Sequence, residues 1–172
     1  MKVTIHKGCH WPSIITRLRQ FGINTKPWIE RDVVFDHTAS YDLPGDDRFD
    51  VNKLFGIGYL NGFHQKDSAR FGWNYNHEAG RIRLYAYCYV KGDRIIKPVC
   101  EILPYQKVRL IISVSQSGNY VFSVYGGANN YEEMGVAKVP FTHKKKWKYN
   151  LGSYFGGNRK APHDIRINIS KK

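Results

Sequence analysis

The stretch Arg81-Ile82-Arg83-Leu84-Tyr85-Ala86-Tyr87-Cys88-Tyr89-Val90-Lys91 alternates at a period of two. Successive side chains of a strand point to opposite faces, so Ile82, Leu84, Ala86, Cys88 and Val90 share one side, and Arg81, Arg83, Tyr85, Tyr87, Tyr89 and Lys91 share the other. If the aliphatic side packs a core, the opposite side carries three aromatic rings bracketed by cations. Two readings of that row stay open. It is an exposed platform for a ligand, or its rings are covered by another sheet or a loop, since Tyr is a strong strand former and is often half buried.

The same period recurs from residue 54 onward, interrupted by Gly, Asn and Asp turns. Strands are expected over residues 54–63, 69–75, 81–91, 94–102, 107–115, 120–125, 146–151 and 164–170, with Leu110, Ile112, Ile165 and Ile167 inward beside the aliphatic side of 81–91. A tight hairpin at 91–94 would set Val90 opposite Ile95 and Cys88 opposite Lys97. Short strands with frequent turn signals predict an all-β fold, a two-sheet antiparallel β-sandwich of jelly-roll type. Helix is confined to residues 13–21 at most. There Pro12 precedes a Ser13 cap, Gly22 is a stop, and Ile14, Ile15, Leu18 and Phe21 form an apolar stripe, although the same letters also suit a strand. Residues 24–53, rich in Pro, Asp and Gly, read as an irregular connection with at most one strand at 32–35. The expected organisation is one domain over 1–172, with an N-terminal segment and acidic connection over 1–53 and the sandwich body over 54–172.

The formal charge is +13, yet seven of the 14 acids fall in residues 30–50. That segment is acidic and the rest of the chain is strongly basic. Such a distribution suits association with nucleic acid, an acidic polysaccharide or an acidic neighbour in an assembly. No apolar run approaches the roughly 20 residues of a membrane span, and the N-terminus lacks the pattern of a signal peptide. Three cysteines, Cys9, Cys88 and Cys100, cannot all pair within the chain. Without a CxxC or Cys/His spacing they read as free thiols in a reducing compartment.

Residues 53–94 (KLFGIGYLNGFHQKDSARFGWNYNHEAGRIRLYAYCYVKGDR) and 154–169 (YFGGNRKAPHDIRINI) resemble a family of concanavalin A-like β-sandwich proteins of Bacteroides-type bacteria and their phages. The resemblance covers residues 50–170. It implies two curved antiparallel sheets with ligands often on the concave face, and makes a virion surface or capsid-decorating protein, located in the cytoplasm or the virion, an expectation.

Catalytic patterns are sparse. Retaining glycosidases need two carboxylates about 5 Å apart, whereas Glu132 and Glu133 are adjacent in a turn-like stretch. Lyases of the same superfamily use His, Tyr, Arg and Gln; His64, Gln65, Arg70 and Tyr154 are the candidates, without the usual QIH string. No GxSxG elbow is present, and the pairs Gly126-Gly127 and Gly156-Gly157 lack the Lys or helix of a phosphate cradle. No cofactor is expected, with a structural calcium at Asp46, Asp47, Asp50 and Asn52 left open against a solvated acidic loop or one laid across the basic body. Lys144, Lys145, Lys146, Trp147 and Lys148, with Arg159 and Lys160, form a basic patch whose alternative is a solvated edge strand. The expected ligand residues are Tyr85, Tyr87, Tyr89, Arg81, Arg83, Arg166 and Asn168, the last two if their strand joins the sheet of the tyrosine row. Rings stack on pyranose faces while planar polar groups bind hydroxyls in pairs. The expectation is a non-enzymatic module that binds a glycan or serves as a subunit of an assembly such as a phage virion. The alternatives are a polysaccharide lyase or glycoside hydrolase, and a nucleic-acid-binding protein.

Overall fold

The computed structural model describes residues 1–60, 63–127, 132–141 and 147–171. Its strands are β1 (Lys2–Ile5), β2 (Ile23–Asn24), β3 (Trp28–Phe35), β4 (Asn52–Tyr59), β5 (Ser68–Asn76), β6 (Arg81–Val90), β7 (Asp93–Ile102), β8 (Val108–Val114), β9 (Asn119–Gly126), β10 (Glu132–Pro140), β11 (Lys148–Leu151) and β12 (Ile165–Lys171), with one α-helix, α1 (Ile14–Gln20), and two short 3₁₀ turns, His37–Ala39 and Gly45–Phe49, among the described residues. They form two antiparallel six-stranded sheets, ordered β1-β12-β3-β8-β9-β10 and β2-β11-β4-β5-β6-β7. This is the all-β sandwich with one short helix that the alternation predicts. No helix among the described residues is long and apolar enough to cross a membrane.

The core lies between the sheets, where Leu84, Ala86, Cys88, Leu110, Ile112, Ile165 and Ile167 are all buried as expected. Its largest member, Trp73, packs its ring 5.0 Å from that of Phe35 across the sandwich. Burying a side chain of this kind contributes on the order of 1.5–3 kcal/mol. A one-residue slip of any inner strand would turn its aliphatic set to solvent, so this face fixes the register.

Two expectations are corrected. Lys91 (φ 55°) and Gly92 (φ 96°) are both left-handed and close a two-residue hairpin, the turn whose twist matches paired strands. Val90 therefore faces Asp93 and Cys88 faces Ile95, two residues short of the expected partners. The N-terminal third is also no mere connection. β1 and β3 flank β12, and β3 begins at Trp28 rather than at residue 32. Its pattern was hidden by Asp32, which is buried because Arg109 Nε donates to it at 3.1 Å while Lys107 Nζ lies 3.5 Å away. β10, also unexpected, bulges at Gly135, where a Cβ would meet the Val99 carbonyl at 2.5 Å.

The acidic segment lies against basic and backbone groups of the same chain. Glu30 and Asp32 hold Arg109, Asp47 pairs with Arg159 at 2.6 Å, and the Asp50 carboxylate accepts the Gly157 and Asn158 N–H groups.

Candidate functional site

The outer face of the β2-β11-β4-β5-β6-β7 sheet is built on three glycines. Along β5 the inward Ala69, Phe71 and Trp73 leave Arg70, Gly72 and Asn74 pointing outward, and on β4 the inward Ile57 and Tyr59 leave Gly56 and Gly58 outward. Gly56 faces Arg70 and Arg70 faces Tyr87; Gly58 faces Tyr149 of β11. A Cβ on Gly58 would sit 2.8 Å from Cζ of Tyr149, and one on Gly72 would sit 2.4 Å from Cγ1 of Val51. Side chains and loop are thus laid flat where glycine leaves room.

That covering decides the tyrosine row. Tyr87 is only 5% exposed, roofed by Lys53, whose Nζ stands 4.7 Å from the ring centroid, and met edge-on by Tyr89 at 5.8 Å. Tyr85 and Tyr89 remain half-buried, and the Tyr85 hydroxyl donates to Asn74 Oδ1 at 3.2 Å. Of the two readings open in the sequence, cover by a neighbouring segment applies to Tyr87, and its flanking rings stay partly open.

Beside the row, α1 and residues 149–153 enclose a groove of ≈ 350 Å³, with Trp11, Ile14, Leu18 and Phe21 along one wall and Arg70, Tyr149 and His64 facing them. Ser13 caps the helix by accepting the Thr16 N–H at 3.3 Å. At the other end, Gln20 Nε2 donates to Ser153 Oγ at 2.9 Å, and Ser153 Oγ donates to the Leu54 carbonyl at 2.7 Å. This anchor holds the helix by its one buried residue, Gln20, and leaves the apolar stripe facing solvent.

The face concentrates positive charge. Arg70 is 6% exposed, its Nε–H has no hydrogen-bond partner, and burial draws its pKa below the ordinary arginine value to about 10 against the opposing pull of Tyr149, Tyr87 and Tyr89. Burial first, and the Arg70 charge second, bring Lys53 down from 10.5 to about 8. The same two causes lower His64. Burial lifts the Tyr87 phenol to about 12. The carboxylate that opposes the fall of Lys53, Asp50, already accepts two backbone N–H groups. The groove's described lining contains no carboxylate. Chemically, the arrangement can hold an anionic oxygen at Arg70 and present rings on either side of it.

The remaining expected residues are dispersed. Arg166 and Asn168 lie on β12, in the other sheet from β6, so they do not share a face with the tyrosine row. Arg81 is exposed at the start of β6, and Arg83 is engaged by Glu101 at 2.9 Å. In the basic patch, Lys144, Lys145 and Lys146 lie outside the described residues. Trp147 is exposed, whereas Lys148 is buried and its pKa is lowered by that burial. Arg159 is bound to Asp47 and Lys160 is exposed. Glu132 and Glu133 are exposed on β10 of the other sheet. Of the lyase candidates, Arg70 and His64 meet in the groove, Tyr154 stands 5.5 Å from Lys53, and Gln65 is exposed outside the lining. At the calcium candidates, Asn52 donates to the Tyr41 hydroxyl at 2.7 Å and accepts the Gly156 N–H, while Asp47 and Asp50 serve the contacts already given. Among the described residues no group of three or more His, Cys, Asp or Glu could hold a metal ion.

Sequence reasoning missed Lys53, Tyr149 and the helix wall as parts of one face. The outward glycines at 56, 58 and 72 were the available signal, because a glycine inside a strand marks a close approach.

No protein-family model and no curated protein matches the chain. Two solved β-sandwich structures are similar to it. Scytalido-glutamic peptidase, with a peptide-based transition-state analog, gives a TM-score of 0.40 at 8% identity, over 98% of this chain and 62% of that one. The catalytic domain of the glycoside hydrolase family 131 protein from Coprinopsis cinerea gives 0.45 at 13% identity, over 97% and 68%. The chain thus spans less than two thirds of the peptidase's length.

Proposed function

We propose that this chain is a binding module for an acidic glycan, engaged on the outer face of the β4–β5–β6 sheet and without a catalytic step of its own. One observation carries the reading. The Arg70 Nε–H is buried and unpartnered, in a residue that lines the groove. Leaving such a donor unmet costs on the order of 1–3 kcal/mol, which an arriving carboxylate or sulfate oxygen recovers through a charge-assisted hydrogen bond. Tyr149, Tyr85 and Tyr89 supply ring faces for neighbouring sugars, and Lys53 supplies a second cation. Two-carboxylate hydrolysis finds no acid in the groove's described lining.

A second reading, a polysaccharide lyase, is favoured by the placing of Lys53, an ammonium whose pKa burial lowers to about 8, on the face that holds Arg70 and beside Tyr154.

Titration calorimetry with uronic-acid oligosaccharides and their neutral counterparts tests the proposal. Acidic ligands are expected to bind at least about tenfold tighter, and Arg70→Met to remove that preference; equal binding of both classes refutes it. Ultraviolet absorbance of an unsaturated product would move the conclusion to the lyase. Binding that weakens steeply and equally for any polyanion as salt rises would move it to nucleic acid.

A further inference from the structure

The helix wall is the feature that glycan binding alone leaves unexplained. Ile14 is 70% exposed, Leu18 69%, Phe21 58% and Trp11 43%. Exposed apolar residues grouped on one face mark a binding surface when they are contiguous. Here they are contiguous with the anion site. The Phe21 ring lies 6.0 Å from that of Tyr149, and Trp11 lies 4.5 Å edge-on from Tyr154, which in turn stands beside Lys53. The groove of ≈ 350 Å³ between the helix and Arg70 falls within the size of small-ligand sites, which are mostly apolar with a few placed polar groups.

We infer that the ligand of this face is an amphiphile, an acidic saccharide carrying an aliphatic chain, with the chain lying along Ile14, Leu18 and Phe21 and the anionic group at Arg70. The inference rests on the acidic-glycan reading and narrows it. Charge and shape select this occupant over others. A flat bilayer cannot bring an anion to a guanidinium that is 6% exposed at the side of a groove. A second copy would set its own Arg17 and Arg19 and a formal charge of +13 against the same cations. A single molecule with an acidic head and an apolar tail meets both walls at once.

The test compares methyl β-D-glucuronide, hexyl β-D-glucuronide and hexyl β-D-glucoside by titration calorimetry on the full chain. The hexyl glucuronide is expected to bind at least about tenfold tighter than the methyl one, a tenfold gain being what burial of about two methylenes supplies. In Leu18→Ser and, separately, Ile14→Ser, the ratio of those two affinities is expected to fall to near one. Both positions are solvent-facing, and an unchanged thermal midpoint confirms that the helix and fold persist. Equal binding of both glucuronides, or a ratio retained in both variants, overturns the amphiphile and leaves the acidic-glycan reading standing. Hexyl glucoside binding as tightly as hexyl glucuronide, or no binding of either glucuronide, overturns both.

Discussion

Arg70 is where binding and stability should pull in opposite directions, and Arg70→Met separates them. Arg70 is 6% exposed, with its pKa drawn below the ordinary arginine value to about 10, burial being the largest cause. A folded-state pKa below the unfolded value means that folding disfavours the cation. The penalty is fully present at neutral pH and begins to be relieved only in strongly alkaline solution, above about pH 10. At 1.36 kcal/mol per pKa unit it amounts to about 3 kcal/mol. Met keeps most of the apolar stem against Tyr149 and Tyr87 and removes the charge. Replacing even a paired buried charge, together with its partner, by well-packed apolar groups is often neutral or stabilising by about 1–4 kcal/mol, and Arg70 has no carboxylate among the groups that shift it. Allowing for the lost attraction to the surrounding tyrosines, Arg70→Met should gain about 1–3 kcal/mol, read as a rise in the urea midpoint at constant slope, or as roughly 3–10 °C in Tm. The same variant should lose its preference for acidic ligands. A variant that is destabilised, or that is stabilised and still prefers acidic over neutral saccharides, refutes the account of Arg70 as an unneutralised cation kept for a ligand.

Gly58→Ala should displace the Tyr149 ring, whose Cζ stands 2.8 Å from the added methyl, weakening binding at a cost of about 1 kcal/mol because a side chain can swing. Gly56→Ala puts its methyl 2.0 Å from the Ala69 carbonyl and 2.6 Å from Arg70 Cα, all backbone, and should cost about 3 kcal/mol or more in chemical denaturation. Acidic-ligand affinity should fall as pH rises through about 8, where Lys53 loses its proton, and Lys53→Gln should flatten that step; fold stability moves the other way, rising from 8 to 10.5 as the buried ammonium is relieved. Tyr87→Ala should destabilise by about 3 kcal/mol, since the ring is 5% exposed, and a loss under 1 kcal/mol would mean that Lys53 and Tyr89 do not cover it. Native thiol titration should count Cys9 alone, because Cys88 is buried and Cys100 is half-buried with both pKa values pushed up by burial, and three groups should react once the chain is denatured.

The alternation of residues 81–91 was enough to place β6 and its core face, because a strand buried on one side tolerates no slip. What lies over its other side could not be read from it. Tyr87 is covered by Lys53 and flanked through Gly72 by Val51, and those residues come from a segment whose Pro, Asp and Gly content resembled a loop. β1 was missed because four residues are too short to show a period. The helix was legible at its Ser13 cap, yet the contact that orients it, Gln20 to Ser153, joins residues far apart in sequence, so its exposed stripe was not.

Arg70 was the hardest residue to weigh, and the reason is physical. Between Ala69 and Phe71 it reads as an ordinary outward cation of a half-buried strand, free to reach water. Three tyrosines from β6 and β11 stand around it, and the ring of one of them, Tyr149, lies where Gly58 of β4 lacks a Cβ. Glycine inside a strand sacrifices packing and chain entropy, and a period-two row of it facing outward on adjacent strands needs something laid in the space. Here that something is the Tyr149 ring at Gly58 and the Val51 side chain at Gly72, beside a guanidinium whose Nε–H has no partner. On the proposed reading, the sheet is weakened at the positions that let it hold an anion.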